Sequence, residues 1–400
     1  MAITINGSGT VTGLAVGGLP DGTVDAGTLA TDSVTAVKIP DTVESSLKSG
    51  RKNLIINGGM TVAQRGTSIT VSNSNWLYLM DRFQFDENGS TSAILDVTQS
   101  TDAPEGFGYS LKMTATTADA ALASADGLRL QHRIEAKDLQ SLAHGTSTAK
   151  PVTLSFWVKS KTTGTNGIWV YKNDSSRQTS FSYTINAADT WEYKTITIPA
   201  DTSSTINNDN GEGLRVSWYL AAGTDFNSGT LASSWESTTS ANRAVGQVNN
   251  FAATSDYWAI TGVQLELGSV ATDFEHRSYG EELALCQRYY HRVGTASSSY
   301  NYVATGGFTG GSTEIVAFVY HPVEMRVVPS LGIDSLTNME FRMDNDTSFT
   351  MMSYTPGTSQ SSTKTAGLWF GGQNTVGLGK SGFIRVRNGL SGWFSFDAEL

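Results

Sequence analysis

Nine tryptophans and fourteen tyrosines are the residues of this sequence best able to do chemistry, because several sit on alternating stretches beside small polar side chains. A flat ring stacks on the apolar face of a pyranose while neighbouring hydroxyl and amide groups meet the sugar hydroxyls, so a face carrying both is a candidate sugar-binding surface. In PVTLSFWVKS, Val152, Leu154, Phe156 and Val158 share one face and Thr153, Ser155, Trp157 and Lys159 the other. Trp157 points away from the apolar set of its own strand and is the leading candidate. WEYKTITIPA places Trp191, Tyr193, Thr195 and Thr197 on one face, and Trp169 with Tyr171 makes a similar pair. Tyr302, Tyr354 and Trp369 are the corresponding candidates near the C-terminus. For each ring the competing placement is packing under a loop or in a subunit interface, the common fate of large aromatics.

Reactive constellations are not expected. Cleaving a glycosidic bond takes paired carboxylates, and Asp81, Glu87, Asp225, Glu236 and Asp344 are scattered among turn residues. The sequence has no G-x-S-x-G elbow and no H-E-x-x-H pair, and its five histidines are widely spaced, so neither a hydrolytic triad nor a zinc site is anticipated. Structural calcium is the one ion to weigh. The Asn207–Glu212 loop, with Asp209, offers oxygen ligands, but Asn/Asp loops flanked by Gly serve as plain turns more often. The reading is therefore of a non-enzyme without catalytic residues, cofactor or metal centre. A net charge of -10, with 27 basic residues that form no run, excludes a general nucleic-acid binder.

The elements that must carry these rings are strands. With 41 Gly, 8 Pro, much Thr and Ser and 16% charged residues, the composition suits many short strands joined by turns. Residues 1–50 contain no aromatic residue and alternate as in TVT and GLAVGG, which predicts an extended segment that orders on another surface. The opening MAITINGSGTVTGLAVGG shows no basic n-region and no continuous apolar stretch, so no secretory signal or membrane span is expected. Residues 51–277 repeat period-two strands separated by KTTGTNG and NNDNGEG, the rhythm of an antiparallel sandwich of jelly-roll type. Ser278, followed three residues later by Glu281, signals a capping box, and Leu283, Cys286 and Tyr290 fall on one helical face, giving a linking helix over 278–293. Cys286, the single cysteine, reads as a small buried apolar residue. From 294 to 400 alternation returns in TEIVAFVYH, MRVVPSLGI, GLWFGG and WFSFDAEL, giving a second β domain whose loops would carry specificity.

The runs NLIINGGMTVAQRGTS, LMDRF, VTLSFWVKS, ITGVQLELGSVATDFEHRSYGEELALCQRYYHR, HPVEMRVVPS and FSFDAEL, in this order between Asn53 and Leu400, resemble a widespread group of phage tail-fibre proteins. The leader is similar to fibre starts of marine and cyanobacterial phages, and the middle region to jelly-roll carbohydrate-binding modules. Those modules often carry an acidic calcium ligand after their first strand. This sequence has Asn57, Gly58, Gly59, Met60 and Thr61 there. The resemblance implies an all-β parallel homotrimer, with residues 1–50 joined to an adaptor or nozzle protein of the tail, the 278–293 helix at the three-fold axis and a distal C-terminal tip. It implies an adhesin made in the host cytoplasm, located in the virion tail fibre, that binds host surface polysaccharide without membrane insertion. Two alternatives stay open: a secreted carbohydrate-binding module, and a tailspike depolymerase with an unrecognised glycan-cleaving site. Arg65, Asp81, Arg82, Glu266, Glu275, His276 and Arg277 lie within the resembling motifs and read as structural ion pairs or turn anchors.

Overall fold

The computed structural model describes residues 51–72, 76–294, 301–308, 314–343, 348–350, 355–356, 361–371 and 381–400, together with two short N-terminal strands. The chain divides into two compact units, Met1–Gly50 and Arg51–Leu400. In the first, β1 (Thr4–Ile5) pairs antiparallel with β2 (Val11–Thr12).

The second unit is all-β, as its composition and alternation predict. One sheet has six strands in the order β12 (Glu192–Ile198), β9 (Val152–Ser160), β15 (Tyr257–Leu267), β7 (Ser110–Thr117), β6 (Ile94–Ser100) and β3 (Ser68–Ser72). The other has seven, in the order β14 (Glu236–Ser237), β11 (Arg177–Ile185), β10 (Gly164–Lys172), β13 (Glu212–Ala222), β8 (Gly127–Glu135), β5 (Phe83–Asn88) and β4 (Leu77–Tyr78). Alternate residues of each face inward, and Leu154, Phe156, Val158, Val216, Trp218, Trp258 and Ile260 are fully buried between the sheets. Edge-to-face contacts of Phe156 with Tyr183 and Trp218, at 5.2 and 5.8 Å, tie the two layers.

The helix is shorter than the spacing predicts. It spans Tyr279–Gln287, and Tyr290, expected on its face, instead opens strand β16 (Tyr290–Val293). Aromatic Tyr289 and Tyr290 followed by His291 favour extended backbone once β16 finds a partner strand. Only half of the capping box forms. Ser278 Oγ accepts the Glu281 N–H at 3.3 Å, while the Glu281 carboxylate turns outward to pair with Arg51. Cys286 is buried, as expected of a lone apolar cysteine, and Tyr290 is also buried; Leu283 is half-buried.

Beyond the helix, β16, β25 (Phe394–Asp397) and β19 (Ser330–Ile333) form a three-stranded sheet with β25 central. A larger sheet takes the order β21 (Ser348–Thr350), β20 (Met339–Met343), β24 (Ser381–Val386), β17 (Asn301–Phe308), β18 (Ile315–Tyr320), β23 (Thr365–Phe370) and β22 (Thr355–Pro356). Their core includes Ile315, Phe341, Phe370, Ile384, Phe394 and Phe396. MRVVPSLGI becomes a strand only from Ser330, because Pro329 has no N–H to give a ladder.

The motif residues hold these parts together. Arg65 lies 3.6 Å from the Tyr290 ring and bridges Asp397 and Glu399 at 3.3 and 3.2 Å. Arg82 pairs with Glu399 and lies 3.5 Å from the Tyr289 ring. Arg288 forms a two-point bridge to Glu135, at 2.9 and 2.7 Å, and Tyr289 Oη donates to the same carboxylate at 2.9 Å. Among the described residues no helix is long and apolar enough to cross a membrane.

Candidate functional site

Strands β9, β12 and β15 turn one face to the core and the other outward, and the outward residues make the site. Across β9 and β12, Trp157 stands opposite Tyr193, Ser155 opposite Thr195 and Thr153 opposite Thr197. The Trp157 and Tyr193 rings meet at 5.3 Å between centroids with their planes 47° apart, and Tyr193 is 44% exposed. On the other side of Trp157 the β15 register breaks between Thr261 and Gln264. This bulge contains Gly262 at φ +60, a conformation that costs an L side chain. A Cβ there would stand 2.7 Å from Phe107 and 3.1 Å from Trp157. The glycine therefore leaves the space in which a third ring approaches.

That ring belongs to a cluster from two loops. Phe107 lies 5.0 Å from Phe274 and 5.4 Å from His276, and Phe274 lies 4.9 Å from His276. The loop carrying Phe274 and His276 is fixed from below: Thr272 donates to Glu266 through N and Oγ1 at 2.9 and 2.6 Å, and Glu275 N donates to Gln264 Oε1 at 2.8 Å. The result is a cleft of about 380 Å³ whose floor is Trp157 and Tyr193, whose wall is Phe107, Phe274 and His276, and whose rim carries Glu105, Ser155, Thr272 and Asp273. Its size and mixed lining suit a small polar ligand.

Trp191, predicted on the same face, is half-buried at the edge of the platform. Its Nε1 donates to Asp102 Oδ1 at 3.1 Å, and Lys159 Nζ donates to the same carboxylate at 2.9 and 3.2 Å. Against the upward push of burial, the hydrogen bonds from Lys159 and Trp191 hold the Asp102 carboxyl below its usual range. Trp191 is thereby tied down by its own polar atom.

The other predicted residues lie elsewhere. Trp169 and Tyr171 are on β10, in the opposite sheet; Trp169 is 3% exposed under the segment around Phe226 and Ala244, so it offers no face to a sugar. Tyr302, on β17, is exposed and Trp369, on β23, is half-buried; Tyr354 lies outside the described residues. Leu283, Cys286 and Tyr290 do not form one helical face, and the last two are covered within a single chain. In the Asn207–Glu212 loop the oxygens are engaged internally: Asp209 Oδ1 accepts from Gly211 N at 2.8 Å and Glu212 bridges Arg215 at 2.7 Å. Asn57 is a turn anchor, its side chain spanning Val62 and Asp81 backbone groups. Among the described residues no group of three or more His, Cys, Asp or Glu is placed to hold a metal ion.

Phe107, Phe274 and His276 were not legible as site residues, because they stand on loops where no periodicity assigns a face. The available signal was local: a bulge glycine in ITGVQ opposite a strand that already presents Trp157 outward.

No family model matches the chain. No curated protein matches it. Among solved structures it is similar to the enzymatically active domain of tailspike protein 4 of bacteriophage CBA120, at 13% identity and TM-score 0.28, covering 54% of this chain and 21% of that one. The match thus spans about a fifth of that domain's chain. A putative sugar binding protein from Bacteroides thetaiotaomicron is 13% identical at TM-score 0.30, with 54% of this chain and 100% of that chain covered. A family 11 carbohydrate-binding module from Clostridium thermocellum, in complex with a β-1,3-1,4-mixed-linked tetrasaccharide, is 10% identical at TM-score 0.26, covering 52% and 98%.

Proposed function

We propose that this chain is a non-enzymatic adhesin of a phage tail fibre that binds host surface glycan in the Trp157 cleft. The observation that carries the binding reading is the outward Trp157–Tyr193 pair at 5.3 Å, floored on paired strands and ringed by hydroxyl and carboxyl groups. Rings fixed on strands lose little entropy on stacking, and polar rim groups can meet sugar hydroxyls. The fibre reading is supported by the ordered motif runs from Asn53 to Leu400 and by the aromatic-free leader at residues 1–50, which we assign to the tail attachment. We further propose a parallel homotrimer within the virion, in which weak contacts add through multivalency.

The test is titration of the protein with host surface polysaccharide, followed by tryptophan fluorescence. Trp157→Ala should weaken binding by about tenfold, on the order of 1–2 kcal/mol for one lost stacking face, with the melting temperature little changed. Unchanged affinity would remove the cleft from the binding reading. Cleavage is the second reading, favoured by Glu105 and Asp273 on one rim. New reducing ends after incubation with the polysaccharide, lost in Glu105→Gln, would make the chain a depolymerase.

A further inference from the structure

The outer face of the seven-stranded sheet gathers a different chemistry. Three cross-strand rows lie there: Tyr219 beside Arg129 and then Asp86; Trp169 beside Ser217, Gln131 and Gln84; Tyr171 beside Arg215 and Arg133. Arg243 reaches in from the overlying segment to 4.4 Å from the Trp169 ring, and Arg129 and Arg215 lie 5.6 and 5.9 Å from the same ring.

Three guanidinium groups thus converge on the Trp169 ring, and carboxylates bridge only two of them. Arg129 Nε donates to Asp86 at 2.8 Å, and Arg215 donates to both oxygens of Glu212 at 2.7 and 2.9 Å. Arg133 Nε comes no closer than 3.5 Å to Glu212, and Arg243 has no salt bridge among the described residues. Arg133 stands at the far edge of this face, its guanidinium 4.4 Å from the Trp76 ring and its Nη1 donating to Leu400 O at 2.6 Å, with Nε and Nη2 lacking a hydrogen-bond partner. Ser217 Oγ, fully buried in the central row, and Arg243 Nε are also without one; Gln131 Oε1 is the single unpartnered acceptor among them.

Leaving cationic donors buried and unsatisfied is costly, whereas a planar or tetrahedral oxyanion satisfies guanidinium forks with two parallel hydrogen bonds. We propose that this cluster, with Arg243, Arg215 and Arg129 around Trp169 and Ser217 beside it, binds an oxyanion carried on a glycan: a sulfate, a phosphate ester or a uronate carboxylate. The ring of Trp169 holds three guanidinium groups apart by cation–π contact, so the repulsion among them is borne by the scaffold until the anion arrives. This site lies on the sheet opposite the Trp157 cleft and stands whether or not that cleft binds sugar.

The experiment is calorimetric titration of the full chain with sodium sulfate, sodium phosphate and sodium glucuronate, at an ionic strength held constant with sodium chloride. At least one should bind saturably, and Arg243→Gln and Ser217→Ala should each weaken it about tenfold, the effect of one lost charge-assisted hydrogen bond. Arg243 is partly exposed and Ser217→Ala removes one oxygen, so both variants keep the fold, checked by an unchanged melting temperature. No saturable binding beyond chloride, or wild-type affinity in both variants, would overturn the site. A sulfated oligosaccharide binding more tightly than free sulfate supports the glycan-borne group; equal affinity would overturn that part of the assignment.

Discussion

At position 262 a strand omits its side chain where two rings meet, and the cleft depends on that omission. Gly262 sits at φ +60, and an added Cβ would lie 2.7 Å from Phe107. The left-handed conformation costs an L residue roughly 1–2 kcal/mol, and the overlap must push Phe107 off Trp157 as well. Gly262→Ala should therefore lower the melting temperature and weaken glycan binding together, read by calorimetry and by the same polysaccharide titration. A variant with unaltered stability and affinity would show that the loop bearing Phe107 yields freely, and that the wall of the cleft is not fixed. Residue type alone told only part of this. The outward direction of Trp157 and Tyr193 was legible because period two assigns faces within a strand, and their alignment across β9 and β12 follows from pairing. Trp169 alternates outward in the same manner, but periodicity says nothing about the Phe226–Ala244 segment that covers it.

Among the elements, the helix Tyr279–Gln287 shows which signals carry over and which fail. Its start was legible, since Ser278 accepts the Glu281 N–H as an N-cap should. Its end was not: nothing in CQRYYHR breaks a helix locally, and the chain leaves it because β25 offers Tyr290 through Val293 a strand partner. The cap matters beyond the helix. Glu282, in its first turn, accepts from Asn57 N at 2.6 Å and from Arg277 at 3.3 Å, so the helix pins the turn at Asn57. Ser278→Ala should cost about 1 kcal/mol in unfolding free energy, as for other lost N-caps. Denaturant titration measures it, and a change within error of zero would mean that Glu282 and the Arg51–Glu281 pair hold the helix start without Ser278.

Two whole-molecule properties follow, acid sensitivity and assembly. His291 and His321 face each other in the C-terminal core at 2.7 Å, with His291 stacked on Phe396 at 4.7 Å. Burial and His321 push His291 from 6.5 down to about 3, and burial pushes His321 down to about 4. Both rings are neutral in folded and unfolded chains above pH ~6.5, so their contribution is intact there. As pH falls below that value the unfolded chain gains protons the fold refuses, and stability declines by up to about 1.4 kcal/mol per pH unit per histidine until the folded values are reached. Melting curves between pH 7 and 4 should show this slope, and His291→Gln with His321→Gln should lessen it, the remainder coming from His132 and His144, whose charged forms burial also disfavours; an equal slope in that variant would assign the acid sensitivity to other groups. Assembly concerns the surface of the same region. Tyr302, Tyr320 and Phe383 are 58%, 73% and 47% exposed, and Tyr302 meets Phe383 edge-on at 5.7 Å. Large rings clustered in water favour burial against a partner, and in the proposed trimer that partner is a second copy of this chain. Light scattering should give a mass near three times 42.7 kDa, and Phe383→Asp should lower it toward one chain. A single-chain mass for the unaltered protein would overturn the trimer, and an intact trimer in Phe383→Asp would move the interface to another face.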